Sequence, residues 1–429
     1  MELSKNRRAR ERGMLIKTIL NHIEKHASFV YRSVVLAQRG ASEVIEVEVQ
    51  SRKRSRPRCS GCSRRGTCYD RLAVRGFQYV PLWGIPVFFM YSMRRVNCPR
   101  CGVRVEIVPW ATGKRQTTLS FEWFLATWAK RLSWTEVGRI FGTTFETVFR
   151  AVERAVEWGR AHADYSGVEA IGIDEIQWKF GQTYLTLVYQ IDVGVRRLIW
   201  VGEHRTLQTI QAFFTWFGAE RIAELRFICS DMWKPYLRAI RETASHALHV
   251  LDRFHIVAHL GKAIDEVRSS EARQLRTKGR GELLKGSRWA ILRRPENRSA
   301  DEDIKLRDIL RANLRTARSI LLREEFYVFW TYHSRFWAGK FLDAWCVKVM
   351  RSRIEPLKKF ARMLRNHREL LLNWFDAKAL SSGIVEGFNS IAKLTMKKAF
   401  GFRTYRCIEV ALYHRLGALP DPVTIHKFC

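Results

Sequence analysis

No stretch of this 429-residue sequence is apolar for long enough to span a bilayer. The N-terminal run with Lys5, Arg7, Arg8, Arg10 and Arg12 leads into no apolar core with a cleavage site, so no secretory leader is expected. Repeats and low-complexity tracts are also missing. Acidic residues are scarce: 42 Asp and Glu stand against 75 Lys and Arg, a formal charge of +33. Such a charge repels itself in a compact fold, so the sequence implies a polyanionic partner, nucleic acid before a membrane surface. A merely solvated basic surface is the bland alternative. Cysteines are few, nine in all, and four of them form two close pairs. That usage excludes a disulfide framework and points to metal ligation in a reducing compartment. The 47% hydrophobic content supplies core for roughly two to four domains.

Residues 1–42 read as a basic segment with little signal. From Val44 to Val49 the sequence alternates, with Ile45, Val47 and Val49 on one face and Glu46 and Glu48 on the other, as in a half-buried strand. The basic run Ser51–Arg58 is either a phosphate-contacting arm or a solvated linker. Cys59-Ser-Gly-Cys62 and Cys98-Pro-Arg-Cys101 follow, separated by two strands around a turn at Trp83-Gly84. Zinc takes four soft ligands in a tetrahedron, and two tight knuckles supply two thiolates each, so residues 43–112 read as a zinc ribbon. Four unrelated buried cysteines are the alternative, and Cys68 is a spare thiol.

Residues 113–162 are expected to be helical, with Leu119, Trp123, Leu125, Ala126, Trp128, Ala129 and Leu132 as an apolar face. Ser133 with Glu136 forms a capping box, Gly142 suits a left-handed turn, and Thr143 or Thr144 caps a second helix. This is a helix-turn-helix pattern that would present Thr143, Thr144, Thr147 and Arg150 to a major groove; an ordinary helical hairpin has the same pattern.

From residue 168 the pattern becomes α/β. Three strands (169–178, 184–191, 197–201) form an antiparallel meander, followed by a helix, a fourth strand ending at Asp231, another helix and a fifth strand, 247–251. The first strand carries Asp174 and Glu175 in an apolar run, and an acidic pair there is costly without a cation opposite. Residues 256 to about 375 read as helical and arginine-rich, with a loop at 293–303. A last helix, 383–400, carries Glu386 near its start. The order is that of an RNase H-like core (165–262 and 376–417) interrupted by an all-helical insertion (263–375). In such a sheet strands one and four are neighbours, so Asp174 and Asp231 meet and the late helix delivers Glu386. Three carboxylates suit Mg2+ or Mn2+ and phosphodiester chemistry. On pattern alone Glu355, Glu369 and Glu409 compete with Glu386. Asp252 and His255 read as a hydrogen-bonded pair closing strand five, with a phosphate or ligand contact as the alternative. Asn389, Lys393 and Lys397 share one helical face, either against a DNA backbone or in solvent.

Gly172-Ile-Asp174-Glu175, Ser230-Asp231-Met-Trp233, Asp252-Arg-Phe-His255 and Val385-Glu386-Gly-Phe-Asn389, behind a paired Cys-x-x-Cys ribbon and a helix-turn-helix, resemble the DDE transposases of bacterial insertion sequences of the ISL-three family. The resemblance covers about residues 40–415 in the family's domain order. It implies a catalytic triad of Asp174, Asp231 and Glu386, and favours Glu386 over its rivals. It further implies double-stranded DNA partners (inverted-repeat ends and a target), a homodimer holding two ends, and a cytoplasmic, nucleoid-associated bacterial protein. A non-catalytic, sequence-specific DNA-binding protein, a domesticated transposase or a repressor, is the alternative.

Overall fold

The structure is a computed structural model that describes residues 15–181, 183–293, 295–312, 314–377, 383–399 and 401–422. The basic residues Lys5 to Arg12 and the dipeptide Ser381-Ser382 lie outside the described residues. The chain divides into two compact units. One runs up to Ala163 and resumes at Leu419; the other is Asp164–Ala418.

The first unit opens with helix α1 (Ile16–Ile23) and strands β1 (Phe29–Arg39), β2 (Ser42–Ser51), β3 (Thr67–Leu82), β4 (Ile85–Cys98) and β5 (Gly102–Val105). The sheet order is β1-β2-β4-β3, with β5 on the end of β4. Its β3–β4 turn is Trp83-Gly84, as the sequence suggests. Both residues have positive φ, 51° and 80°, the geometry that matches the twist of a two-residue hairpin. Phe77, Val87, Phe89 and Tyr91 fill the core. Strand β1 was not legible in the sequence. Its register against β2 shifts between Tyr31 and Val34, and such a bulge breaks the period-two pattern that would have revealed it. The sheet therefore begins at Phe29, upstream of the boundary at 43 that the sequence suggests.

Three helices follow: α2 (Leu119–Ala129), α3 (Trp134–Ile140) and α4 (Phe145–Ala161). Ser133 and Glu136 form the expected capping box and Thr144 caps α4. Gly142 has φ +62°. At Gly138 a Cβ would stand 2.9 Å from the Thr143 carbonyl oxygen, so only glycine lets the turn close onto α3.

The second unit begins with β6 (Ala170–Lys179), β7 (Thr183–Asp192) and β8 (Val195–Glu203). It continues through α5 (Leu207–Phe217), α6 (Ala219–Glu224), β9 (Phe227–Ser230), α7 (Lys234–Thr243) and β10 (Leu248–Leu251). The sheet order is β10-β9-β6-β7-β8. The meander β6-β7-β8 is antiparallel, while β9 and β10 run parallel to β6. The helical stretch comprises α8 (Arg253–Thr277), α9 (Arg288–Leu292), α10 (Ala300–Arg311), α11 (Arg315–Tyr327), α12 (Arg335–Arg351), α13 (Glu355–Asn366) and α14 (Arg368–Asp376). Its own core includes Phe326, Phe329, Trp345 and Phe360. The loop expected at 293–303 is shorter: Ser299 and Glu302 form a second capping box and start α10 at Ala300. Helices α15 (Gly383–Lys398) and α16 (Tyr405–Leu416) then return to the sheet, against β6 and β8. No helix among the described residues is long and apolar enough to cross a membrane.

Candidate active site

The parallel register aligns three aspartates. Gly172 on β6 pairs with Cys229 on β9. Cys229 pairs with Val250 and Ser230 with Leu251 on β10. Continuing that register puts Asp174, Asp231 and Asp252 level, at the carboxyl ends of β9 and β10 and beside them on β6. Adjacent strands are about 4.8 Å apart, and all three aspartates are buried. The crevice outside the carboxyl ends of parallel strands is where open α/β sheets bind ligands.

Each carboxylate has its own holders. Asp174 Oδ1 accepts the Glu175 amide N–H at 2.8 Å and lies 3.5 Å from His255 Nε2. Asp174 Oδ2 accepts from the Asn389 side-chain amide. Asp252 caps α8, taking the Phe254 N–H at 2.7 Å, and stands 4.0 Å from His255. Asp231 accepts the Trp233 N–H at 2.9 Å and an Arg205 N–H at 2.8 Å. Arg205 also reaches Glu175 at 2.8 Å and lies over the Trp233 ring at 4.6 Å. Asp174, Asp252 and His255 offer ligand atoms within 4.8 Å of one another. Asp231 and Glu386 stand outside that tight group; Asp231 is turned to Arg205. The sequence reading of Asp252 and His255 as a local pair thus misses half of their setting: His255 faces Asp174 as well. Leu251-Asp252 repeats the strand-then-aspartate pattern of Ser230-Asp231, and that was the available signal.

Glu386 is exposed in the first turn of α15. The helix is seated on β6 by the preceding residue: a Cβ on Gly172 would stand 2.4 Å from Val385 Cγ2, so the glycine makes room for it. One turn on, Asn389 is buried. The structure separates it from Lys393 and Lys397, which are exposed. Each four-residue step rotates the helix face by about 40°, enough to carry both lysines off the buried stripe.

Charge follows burial. Burial, then the Asp231 charge, lifts the Glu175 carboxyl to about 7. Burial also raises Asp231, against the Trp233 N–H and Arg205, which lower it. Burial opposes a charged His255, but the Asp174 hydrogen bond and the charges of Asp174, Asp252 and Asp231 outweigh it and raise the ring to about 9. Glu175 Oε2 is buried without a hydrogen-bond partner. A row of oxygen donors with an orphaned carboxylate oxygen beside it suits a hard divalent cation. The Glu175 shift has a testable sign. Between the ordinary carboxylate range and 7 the folded chain binds more protons than the unfolded one, so stability falls as pH rises through that window. Glu175→Gln is therefore expected to melt higher than wild type at pH 8 without added magnesium or manganese. The gap should close towards pH 4.5; differential scanning fluorimetry across pH checks it.

In the first unit Cys59, Cys62, Cys98 and Cys101 bring their sulfurs within 4.8 Å of one another. Cys62 and Cys98 Sγ are 3.5 Å apart, and the Gly61 N–H approaches Cys59 Sγ at 3.4 Å. The backbone N–H groups of Arg100 and Cys101 lower the Cys98 thiol to about 7, while hydrogen bonding with Cys62 holds Cys101 up at about 12. A four-thiol cluster fits a soft, tetrahedral ion such as zinc. Cys68 is exposed and bonds the Asp70 carbonyl, apart from the cluster. Of the groove candidates, Thr144 and Arg150 are exposed and Thr143 and Thr147 half-buried; the Thr144 hydroxyl is engaged in capping α4.

A basic chain with a mixed α/β unit and buried carboxylates at its parallel strand ends falls in the class of nucleic-acid-processing enzymes. It belongs to the ISL-three family of transposases: residues 171–412 match that family, described simply as transposase. Similar proteins include the transposase for insertion sequence element IS1557 of two Mycobacterium tuberculosis strains, 29% identical over 399 residues, 85% of this chain and 86% of theirs. The transposase for insertion sequence element IS1001 of Bordetella parapertussis is 27% identical over 348 residues, 80% of this chain and 85% of its own.

Proposed function

We propose that this chain is a DDE transposase, cutting insertion-sequence ends and joining them to target DNA through Asp174, Asp231 and Glu386. The observation that carries this is the aspartate row, with α15 seated on β6 by Val385 so that Glu386 starts the same helix that reaches Asp174. The strand order, meander first and two parallel strands beside strand one, supports an RNase H-like core at 165–262 and 376–417 with 263–375 inserted. The three acids, with Glu175 beside them, would hold Mg2+ or Mn2+. When bound, such ions supply activation of the attacking water or 3′-hydroxyl and stabilisation of the leaving oxygen in an in-line displacement. The chain's own part is positional. Asn389 and the Glu175 N–H fix Asp174, while Arg205 and the Trp233 N–H fix Asp231. His255 faces the row from α8, 3.5 Å from Asp174.

In the same reading the sheet that begins at Phe29, through residue 112, is a zinc ribbon held by the four cysteines. Residues 113–162 are a helix-turn-helix offering Thr143, Thr147 and Arg150 to DNA, and exposed Lys393 and Lys397 add backbone contacts. The partners are inverted-repeat ends and target DNA, engaged by a homodimer at the bacterial nucleoid.

The test is cleavage of a DNA fragment carrying the element's own end, with magnesium, with manganese and with EDTA. Metal-dependent cuts at the element end are expected, reduced roughly a hundredfold or more in Glu386→Gln. Specific binding without any cleavage would instead favour a DNA-binding protein that has lost its chemistry.

A further inference from the structure

Asn389 was expected from the sequence to face solvent or DNA, and its surroundings assign it another task. We propose that Asn389 is a positioning residue for Asp174, itself aligned by Tyr189, and that this pair ties the seating of α15 to the geometry of the carboxylate row. The inference rests on the reading of Asp174 as a metal-holding carboxylate.

Tyr189 lies on β7 directly across from Gly172. The space a side chain at 172 would fill is taken by Val385. The Tyr189 ring is wholly buried and stacks on Phe388, with ring centroids 4.9 Å apart. Its hydroxyl donates to Asn389 Oδ1 at 2.8 Å. Burial and the Asp174 charge hold that phenol well above its ordinary pKa, so it stays a donor. An amide whose oxygen is occupied by a donor must turn its nitrogen the other way, which settles the orientation by the network itself. The nitrogen then donates to Asp174 Oδ2. The other Asp174 oxygen is fixed separately by the Glu175 N–H. Both oxygens of Asp174 are thus pinned by N–H donors from different elements; Oδ2 keeps a lone pair for a ligand, while Oδ1 also faces His255.

Packing alone does not call for this arrangement. An apolar side chain would fill the space without burying an amide, and a buried amide costs free energy unless its groups are used. Here both ends are used, and one of them reaches the carboxylate. Asn389 also lies three residues after Glu386, on the same side of the helix. If α15 lifts from β6, Asp174 loses its Oδ2 partner at the moment Glu386 leaves.

The experiment measures Mn2+ binding to the full-length, zinc-loaded protein without DNA, by the electron paramagnetic resonance signal of free Mn2+, alongside melting temperature. Asp174→Asn is the reference and should remove the site. Asn389→Ala should weaken Mn2+ binding about tenfold or more, the usual cost of losing the partner of a metal-binding carboxylate. Tyr189→Phe keeps the ring stack and removes only the hydroxyl. It should weaken binding several-fold in the same direction, and it decides the matter if Asn389→Ala does not fold. Variants that melt differently yet bind Mn2+ like wild type, while Asp174→Asn does not, would overturn the positioning role and leave the site reading intact. An Asp174→Asn protein that binds Mn2+ normally would overturn both.

Discussion

Asp174→Asn is expected to cut insertion-sequence ends roughly a thousandfold more slowly than wild type, or not at all, while binding the same DNA with unchanged affinity. The side chain keeps its shape and loses its charge. Asp174 sits at the centre of the site: it is the aspartate that His255, Asn389 and the Glu175 N–H all address. Neighbouring Asp231 and Asp252 do not replace it, because Asp231 is turned to Arg205 and neither touches Asn389 on α15. Arg150, the exposed residue proposed above to contact DNA, lies on α4 in the first unit and Asp174 on β6 in the second, so sequence recognition should survive the change. The fold should survive as well. The substitution removes one of several like charges crowded at the strand ends, although His255 loses its nearest carboxylate. Single-turnover cleavage and fluorescence-anisotropy binding on the same DNA check the two halves. A variant that binds poorly would mean Asp174 serves the architecture, and one that cuts normally would remove it from the chemistry.

The legible parts of this chain were those with local signals. The β6–β8 meander is a set of apolar runs separated by turn residues, Ser133-x-x-Glu136 announces a helix start, and two Cys-x-x-Cys pairs stand out in a cysteine-poor sequence. Asp174 and Asp231 were found because an acid within or ending an apolar strand is conspicuous. What stayed hidden depends on tertiary register. Arg205 lies just after β8 with no motif around it, and its bridge between Glu175 and Asp231 exists only because β8's end returns to that face. Asp252 enters the row only through the pairing of β9 with β10. Asn389 was put with Lys393 and Lys397 because a helical wheel cannot say which edge of a stripe the sheet covers. Strand β1 was lost to a bulge, and the six-residue α6 was too short for a periodic pattern.

The second large effect is expected in the first unit. On the zinc-ribbon reading proposed above, Cys98→Ser should abolish zinc binding at the four-cysteine cluster and unfold the tip of the first unit's sheet, with specific DNA binding lost in consequence. The reason lies in what surrounds the cluster. Its apolar neighbourhood consists of Cys59, Val96 and Cys98, with Cys62 and Cys101 packed beside them. The backbone there is held by single bridges, Arg58 to Arg65 and Cys59 to Glu106, and by the short strand β5. So small a cluster cannot offset the entropy of ordering two knuckles and a loop. A structural zinc site, by contrast, contributes an apparent 10–16 kcal/mol near neutral pH, on the order of a whole domain's stability. Further along, Glu106 anchors the strands through a buried ion pair with Arg94 and a hydrogen bond from Tyr91 at 2.7 Å. Unfolding should therefore stop there and leave the Phe77–Phe89–Tyr91 core in place. Metal analysis should show one zinc fewer per chain. Limited proteolysis should cut faster than in wild type between Arg52 and Arg65 and around Arg100, exposed basic sites whose backbone the cluster holds. Mn2+ binding in the second unit should be unchanged. A Cys98→Ser protein that resists protease and binds DNA like wild type would mean that the four thiols are ordinary buried cysteines and that the strands alone hold this end of the sheet.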